Sequence, residues 1–280
     1  MTEGATMTTA TDVGPVVVGV DGSQAAVAAA VWAVDEAVHR DVPLRLVHVT
    51  GVPLEPSIPI DVYRPELHYG ESALRAASSA IEATDRTVKV ETDIRWGSPA
   101  AALVDESRSA AMVCVGSVGM GFLARRLLGS TAAELAENAH CTTVVVRRRT
   151  STPASAPTDW IVVGIDDRAD NDLVVARSID EAQLRNAPVL ALGVWCDAAV
   201  GVPAEELEYR VAKWRRRHPD VHIYPVSTRS GVPDFLADNG TELVQLVVMG
   251  SHDIADLPRI IGPHDRPFTS HLECSVMVVR

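Results

Sequence analysis

Unbroken apolar runs alternate along this chain with longer amphipathic stretches. Val16 to Asp21 opens with three valines and shows no polar alternation, the pattern of a strand buried on both faces. Gly22-Ser23 turns the chain. Ser23 is an N-cap for an Ala-rich helix predicted over Gln24 to Arg40, and Asp41-Val42-Pro43 stops it. Leu44 to Val49 is the next predicted strand. A loop with Pro53, Pro56, Pro59 and Pro65 leads into a helix from about Glu66 to Thr84. Thr87 to Arg95, Ala111 to Gly116 and Thr143 to Arg147 read as further strands, with helices over Pro99 to Ser109 and Thr131 to Ala139 between them. Strict alternation of strand and helix predicts an α/β fold with a parallel sheet covered on both faces.

The pattern then starts again. Val163-Gly164-Ile165-Asp166 repeats Val18-Gly19-Val20-Asp21, and Asp180-Glu181-Ala182 repeats Asp35-Glu36-Ala37 at the same offset of 145. Cys274 to Arg280 repeats Cys141 to Arg147. The chain is therefore read as a tandem duplication: a first domain over 1–148, a linker rich in Ser, Thr and Pro over 149–159, and a second domain over 160–280.

Charge narrows the partners. A formal net charge of −12 opposes non-specific attraction to nucleic acid or to an anionic membrane. Met1 to Val13 has two acids, no base and no apolar run, so it does not read as a targeting peptide, and a cytoplasmic location is expected. Cys114, Cys141, Cys196 and Cys274 stand singly among apolar residues and read as buried thiols, not as a metal or redox motif. Only Lys89 and Lys213 are lysines and neither follows a glycine, so no Walker-type phosphate loop exists.

The candidate chemistry lies between Val113 and Thr131. An apolar run ends at Gly116, Gly119 follows, and after nine residues Gly129 precedes the hydroxyls of Ser130 and Thr131. Strand, glycine loop and helix start together make an anion cradle, because glycines allow close backbone approach and free N–H groups at a helix start favour phosphate. Arg125 and Arg126 add positive charge, with no acid between Ser117 and Thr131. The spacing Gly-x2-Gly-x9-Gly-Ser resembles the nucleotide-binding signature of the universal stress protein family, in its ATP-binding branch.

That resemblance covers both halves. It implies two doubly wound, Rossmann-like domains, each with a five-stranded parallel sheet in the order 3-2-1-4-5, and a ligand crevice where the order reverses between strands one and four. Carried over by position, it places Gly19 and Asp21 beside ATP and the Val49 backbone at the adenine edge. Gly116, Gly119 and Gly121, with Ser117 and Met120 among them, would line the ribose and phosphate path. Gly129, Ser130 and Thr131 would hold phosphate oxygens, with Arg125 and Arg126 as candidate contacts. No metal ligands or catalytic residues are assigned. The second half departs from the pattern: Pro263 stands for Ser130, and Asp253 and Asp256 bring negative charge, so its nucleotide site is expected to be degenerate. The expected function is a nucleotide-dependent stress-response regulator that is not an enzyme. The alternatives are a slow ATPase, with Asp21 as the one nearby acid, and an interaction module whose apolar strand edges form a homodimer around structural nucleotide.

Overall fold

Val16, Val17 and Val18 have no accessible surface, as a strand covered on both faces requires. They begin β1 (Val16–Gly19) in the computed structural model, which describes residues 14–52, 54–117, 128–147, 159–194, 202–239, 243–261 and 274–280. After β1 come α1 (Gln24–Arg40), β2 (Leu44–Val49), a 3-10 turn over Ile60–Tyr63, α2 (Arg64–Glu82), β3 (Val90–Arg95) and α3 (Pro99–Glu106). β4 (Met112–Gly116), α4 (Ser130–Asn138) and β5 (Thr142–Val146) complete the first half. The second half holds β6 (Trp160–Ile165), α5 (Asn171–Arg185), β7 (Val189–Val194), α6 (Ala204–Arg217) and β8 (Ile223–Thr228). It ends with α7 (Val232–Asn239), β9 (Val244–Gly250), a 3-10 turn over Ser251–Asp256, α8 (Leu257–Ile261) and β10 (Ser275–Val279). The described residues fall into two compact units. The first carries β1 to β4 with α1 to α4 and includes Ser130–Thr143; the second joins residues 128 and 129 to Val144–Arg280 and carries β6 to β10 with α5 to α8.

Strand order is β3-β2-β1-β4-β5 in the first half and β8-β7-β6-β9-β10 in the second, the expected 3-2-1-4-5 arrangement each time. β1 pairs in parallel with β2 (Val16 opposite Leu44) and with β4 (Val16 opposite Met112). β6 pairs in parallel with β7 and β9. Leu44, Leu46, Met112 and Leu135 of the first unit are fully buried, as are Ile161, Ile165, Ile179 and Leu192 of the second. Each such side chain contributes about 1.5–3 kcal/mol relative to exposure. Strand one ends at Gly19, two residues before the expected end, because Asp21 already forms a turn through its side chain. Strand three starts at Val90 rather than Thr87: its pattern of half-buried and exposed positions marks an edge strand with less to pair against.

The duplication extends to details that propensity does not reveal. α1 ends on Asp41 and α5 on Asn186, both left-handed (φ 53° and 49°), each with its N–H closing the last helical turn. Glu36 is fully buried and pairs with Arg40 at 2.5 Å; Glu181, 1% exposed, pairs with Arg185 at 3.0 Å. Asp41 and Asn186, Glu36 and Glu181, and Arg40 and Arg185 all share the offset found in the sequence. Cys114, Cys141 and Cys274 are buried as expected; Cys196 lies outside the described residues.

Candidate functional site

The register of β1 against β4 sets the carboxyl ends of both strands side by side in the first unit. Gly19 therefore neighbours Val115, and a Cβ on Gly19 would stand 2.7 Å from Leu103 Cδ1 and 3.2 Å from Val115 Cγ1. Beyond it, Asp21 Oδ1 accepts from the Ser23 N–H at 3.0 Å, Gly22 takes φ +86°, and Ser23 Oγ accepts from the Ala26 N–H at 3.1 Å. This Asx turn followed by an N-cap reverses the chain within three residues and starts α1 over the strand ends. Asp21 is half-buried, so its carboxylate shapes the turn while its edge stays accessible.

Gly116, at the end of β4, has a role that the sequence reading did not assign. A Cβ there would lie 2.7 Å from the Ala25 carbonyl carbon, 2.8 Å from Ala25 Cβ and 2.9 Å from Ala25 O. Its missing side chain lets the first turn of α1 sit on β4, which requires glycine whether or not a ligand binds. Ser117 is buried just beyond it. Val49 ends β2, half-buried and opposite Arg95. Gly129 and Thr131 are half-buried, Ser130 is exposed, and Ser130 and Thr131 form the first turn of α4. Strand topology thus brings Gly19, Asp21, Gly116 and Ser117 together, and Ser130 and Thr131 occupy the helix start expected of a phosphate site. Gly119, Met120, Gly121, Arg125 and Arg126 lie outside the described residues.

Two residues behind the turn escaped the sequence reading. Tyr69 of α2 donates from its hydroxyl to the Asp21 carbonyl at 2.8 Å, and His48 Nδ1 lies 2.7 Å from the Val20 carbonyl. Their rings are 5.7 Å apart. Burial, with the negative charge of Asp21 second, raises the Tyr69 phenol above its ordinary value of 10.0. Gly70 permits the approach, since a Cβ there would fall 2.6 Å from His48 Cδ2. The available signal was helical spacing: Gly70, Ala73, Leu74, Ala77 and Ile81 are the buried face of α2, which puts Tyr69 at its margin.

The second unit repeats the turn with different chemistry. Asp166 Oδ1 accepts from the Arg168 N–H at 2.9 Å, as Asp21 does from Ser23. The second helix of this unit again reaches the carbonyl of the turn aspartate: Arg210 Nη1 donates to Asp166 O at 2.9 Å, where Tyr69 serves in the first. Arg168 also bridges to Asp253 at 2.5 Å and to Asp166 at 3.2 Å, and the Asp253 hydrogen bond is the leading cause that raises its guanidinium further. The guanidinium is thereby committed to two carboxylates. Among the described residues no group of three or more His, Cys, Asp or Glu side chains is placed to hold a metal ion.

Comparison with known proteins gives a consistent result. The sequence profile of the Universal stress protein family matches residues 13–147. A universal stress protein of Mycobacterium tuberculosis is 49% identical over 265 residues, covering 95% of this chain and 96% of its own. A second from the same organism is 36% identical over 273 residues, covering 94% and 95%. The crystal structure of a universal stress protein from Archaeoglobus fulgidus superposes with a TM-score of 0.68 at 16% identity, covering 95% of this chain and 96% of that one, a likeness of fold.

Proposed function

Because the chain belongs to the universal stress protein family, we propose that its first half binds ATP and that the protein acts as a nucleotide-dependent stress-response regulator rather than an enzyme. The observation that carries this reading is the reversal of strand order between β1 and β4, where the Asp21 turn follows β1 and Gly116 closes β4. Ser130 and Thr131 open α4, the next described helix in the chain. A nine-residue helix that starts with two hydroxyl residues after a glycine offers N–H and O–H donors to phosphate oxygens. Arg125 and Arg126 are proposed to supply the remaining charge. Among the described residues of this crevice, Asp21 is the acid nearest the turn, and its Oδ1 is engaged by the Ser23 N–H.

No helix among the described residues is long and apolar enough to cross a membrane. The acidic net charge opposes attraction to nucleic acid, and we read the protein as a cytoplasmic regulator that does not act on it. Thermal unfolding with and without ATP tests the proposal. Ligand at 100 times its dissociation constant adds about 2.7 kcal/mol to the unit that holds it. Ser130→Pro copies the residue of the second half at a helix position where proline is tolerated, so it removes a hydroxyl and an N–H while the fold persists. ATP stabilisation in the parent that is lost in Ser130→Pro is the expected result; an unshifted parent at millimolar ATP refutes the proposal.

A further inference from the structure

α6 carries a face that its own unit leaves uncovered. Leu207, Val211 and Trp214 are its buried side. Half a turn around the helix, Glu205, Tyr209, Ala212 and Arg216 follow one another at spacings of four, three and four. That is the narrow seam of a contact between two helices, not the broad stripe of a helix lying on a sheet. Tyr209 is 63% exposed, Ala212 is half-buried, and Glu205 and Arg216 are exposed.

Charge on this helix is sorted by sign. Glu205 and Glu208 lie one turn apart near its start, and Lys213, Arg216 and Arg217 crowd its end. None of the five has a hydrogen-bond or ion-pair partner among the described residues, whereas Glu206 and Arg210 on the flank pair at 2.9 Å. The helix dipole favours this polarity only within the first and last turns, and Glu208 and Lys213 stand beyond them. On α2, the corresponding helix of the first half, Glu71 instead lies 3.8 Å from Arg75 and 3.7 Å from His68. Like charges one turn apart repel, so the sorting on α6 calls for a partner that presents the opposite order.

The neighbouring strand is closed to such a partner. β8 is an edge strand; its His222 carbonyl accepts from the Val189 N–H, which turns Ile223 and Pro225 to the free side. Arg215 caps the Ile223 carbonyl from Nε at 2.8 Å and from Nη2 at 2.5 Å, and Pro225 has no N–H to offer. From this geometry we infer that α6 docks against α6 of a second copy of this chain, antiparallel, about a two-fold axis between Tyr209 and Ala212. The symmetry sets Glu205 against Arg216 of the second copy and Arg216 against its Glu205, and seats each Tyr209 on the opposing Ala212. A partner bearing acids alone would repel Glu205 and Glu208, and an apolar one would leave all five charges unmatched. α6 has 14 residues and is about 21 Å long, a strip well short of the ~800 Å² per partner of a standard interface, so the dimer is weak, in the micromolar range or above.

Sedimentation of the full chain from low micromolar to several hundred micromolar concentration tests this. The parent dimerises reversibly, and less at high salt. Arg216→Glu sets acid against acid and Glu205→Arg sets base against base, so each alone weakens the dimer at least tenfold, as does Tyr209→Ala. Mixed in equal amounts, Arg216→Glu and Glu205→Arg pair with each other, because each supplies the charge the other lacks, and the chain carrying both exchanges dimerises as the parent does. All three positions are exposed, so thermal unfolding of the variants matches the parent at concentrations where it is monomeric. A parent that stays monomeric throughout, a dimer undiminished by Arg216→Glu, or single variants that fail to pair on mixing overturns the inference. So does a monomeric parent that binds a polyglutamate peptide, which would assign the basic end of α6 to a different, acidic protein.

Discussion

Alanine at Gly116 and at Gly250 should shift stability in opposite directions, although both glycines end the fourth strand of their half. At Gly116 the added methyl would stand 2.7–2.9 Å from three atoms of Ala25, two of them backbone. No rotamer relieves that contact, so α1 must move off β4, an overpacking cost of about 1–3 kcal/mol. Replacing glycine also restricts the unfolded chain, which returns about 0.4–1 kcal/mol. The net loss is then roughly 1–2 kcal/mol. At Gly250 the backbone is extended (φ −80°, ψ 164°) and the methyl meets side chains at 3.4 Å or more, so only the entropic gain of about 0.4–1 kcal/mol remains. Urea denaturation followed by hydrogen exchange of peptides from α1 and β4, or from α5 and β9, assigns each change to its unit. Equal destabilisation by both variants, or a neutral Gly116→Ala, would refute the packing argument.

Glu36→Ala removes the buried carboxylate that pairs with Arg40 and should cost about 3–5 kcal/mol, whereas Glu36→Met with Arg40→Leu should be far milder; denaturant midpoints compare them. The same contrast is expected at Glu181 and Arg185. Tyr69→Phe removes the hydrogen bond to Asp21 O, costs about 0.5–1.5 kcal/mol, and loosens the turn at the proposed nucleotide site, so ATP affinity measured by calorimetry should fall. Because the folded state raises the Tyr69 phenol above 10.0, its contribution is fully present below pH 10.0 and is lost as the pH rises further. Tyr69→Phe should therefore flatten the alkaline decline in stability, read as midpoint against pH; an unchanged slope would contradict the assignment.

The strands, the helices and the duplication were legible because apolar runs and repeated motifs report them directly, whereas strand order and the reversal point followed from the family resemblance. Asp21, Gly22 and Ser23 were legible as a turn because their side-chain chemistry acts within three residues. Contacts that join distant segments were not. Nothing local in Tyr69 announces a bond to Asp21 O, or in Arg210 a bond to Asp166 O, since each depends on how the second helix of a half lies over its first strand. Gly116 was legible as a motif glycine, but not as the residue whose absent Cβ makes room for the first turn of α1. Nothing local marks Glu36 and Arg40 as buried; the fold makes them a core ion pair.

The most direct test of the central claim is the stoichiometry of ATP. Equilibrium titration of the full chain, repeated on Ser130→Pro, counts the sites and locates them. The first half offers the donors of Ser130 and Thr131 at the start of α4, whereas in the second Arg168 is held by Asp253 and Arg259 by Asp256, so both cations are already paired. One ATP per chain in the parent and none in Ser130→Pro is the predicted result; two equal sites, or a full site that survives the proline, would contradict it.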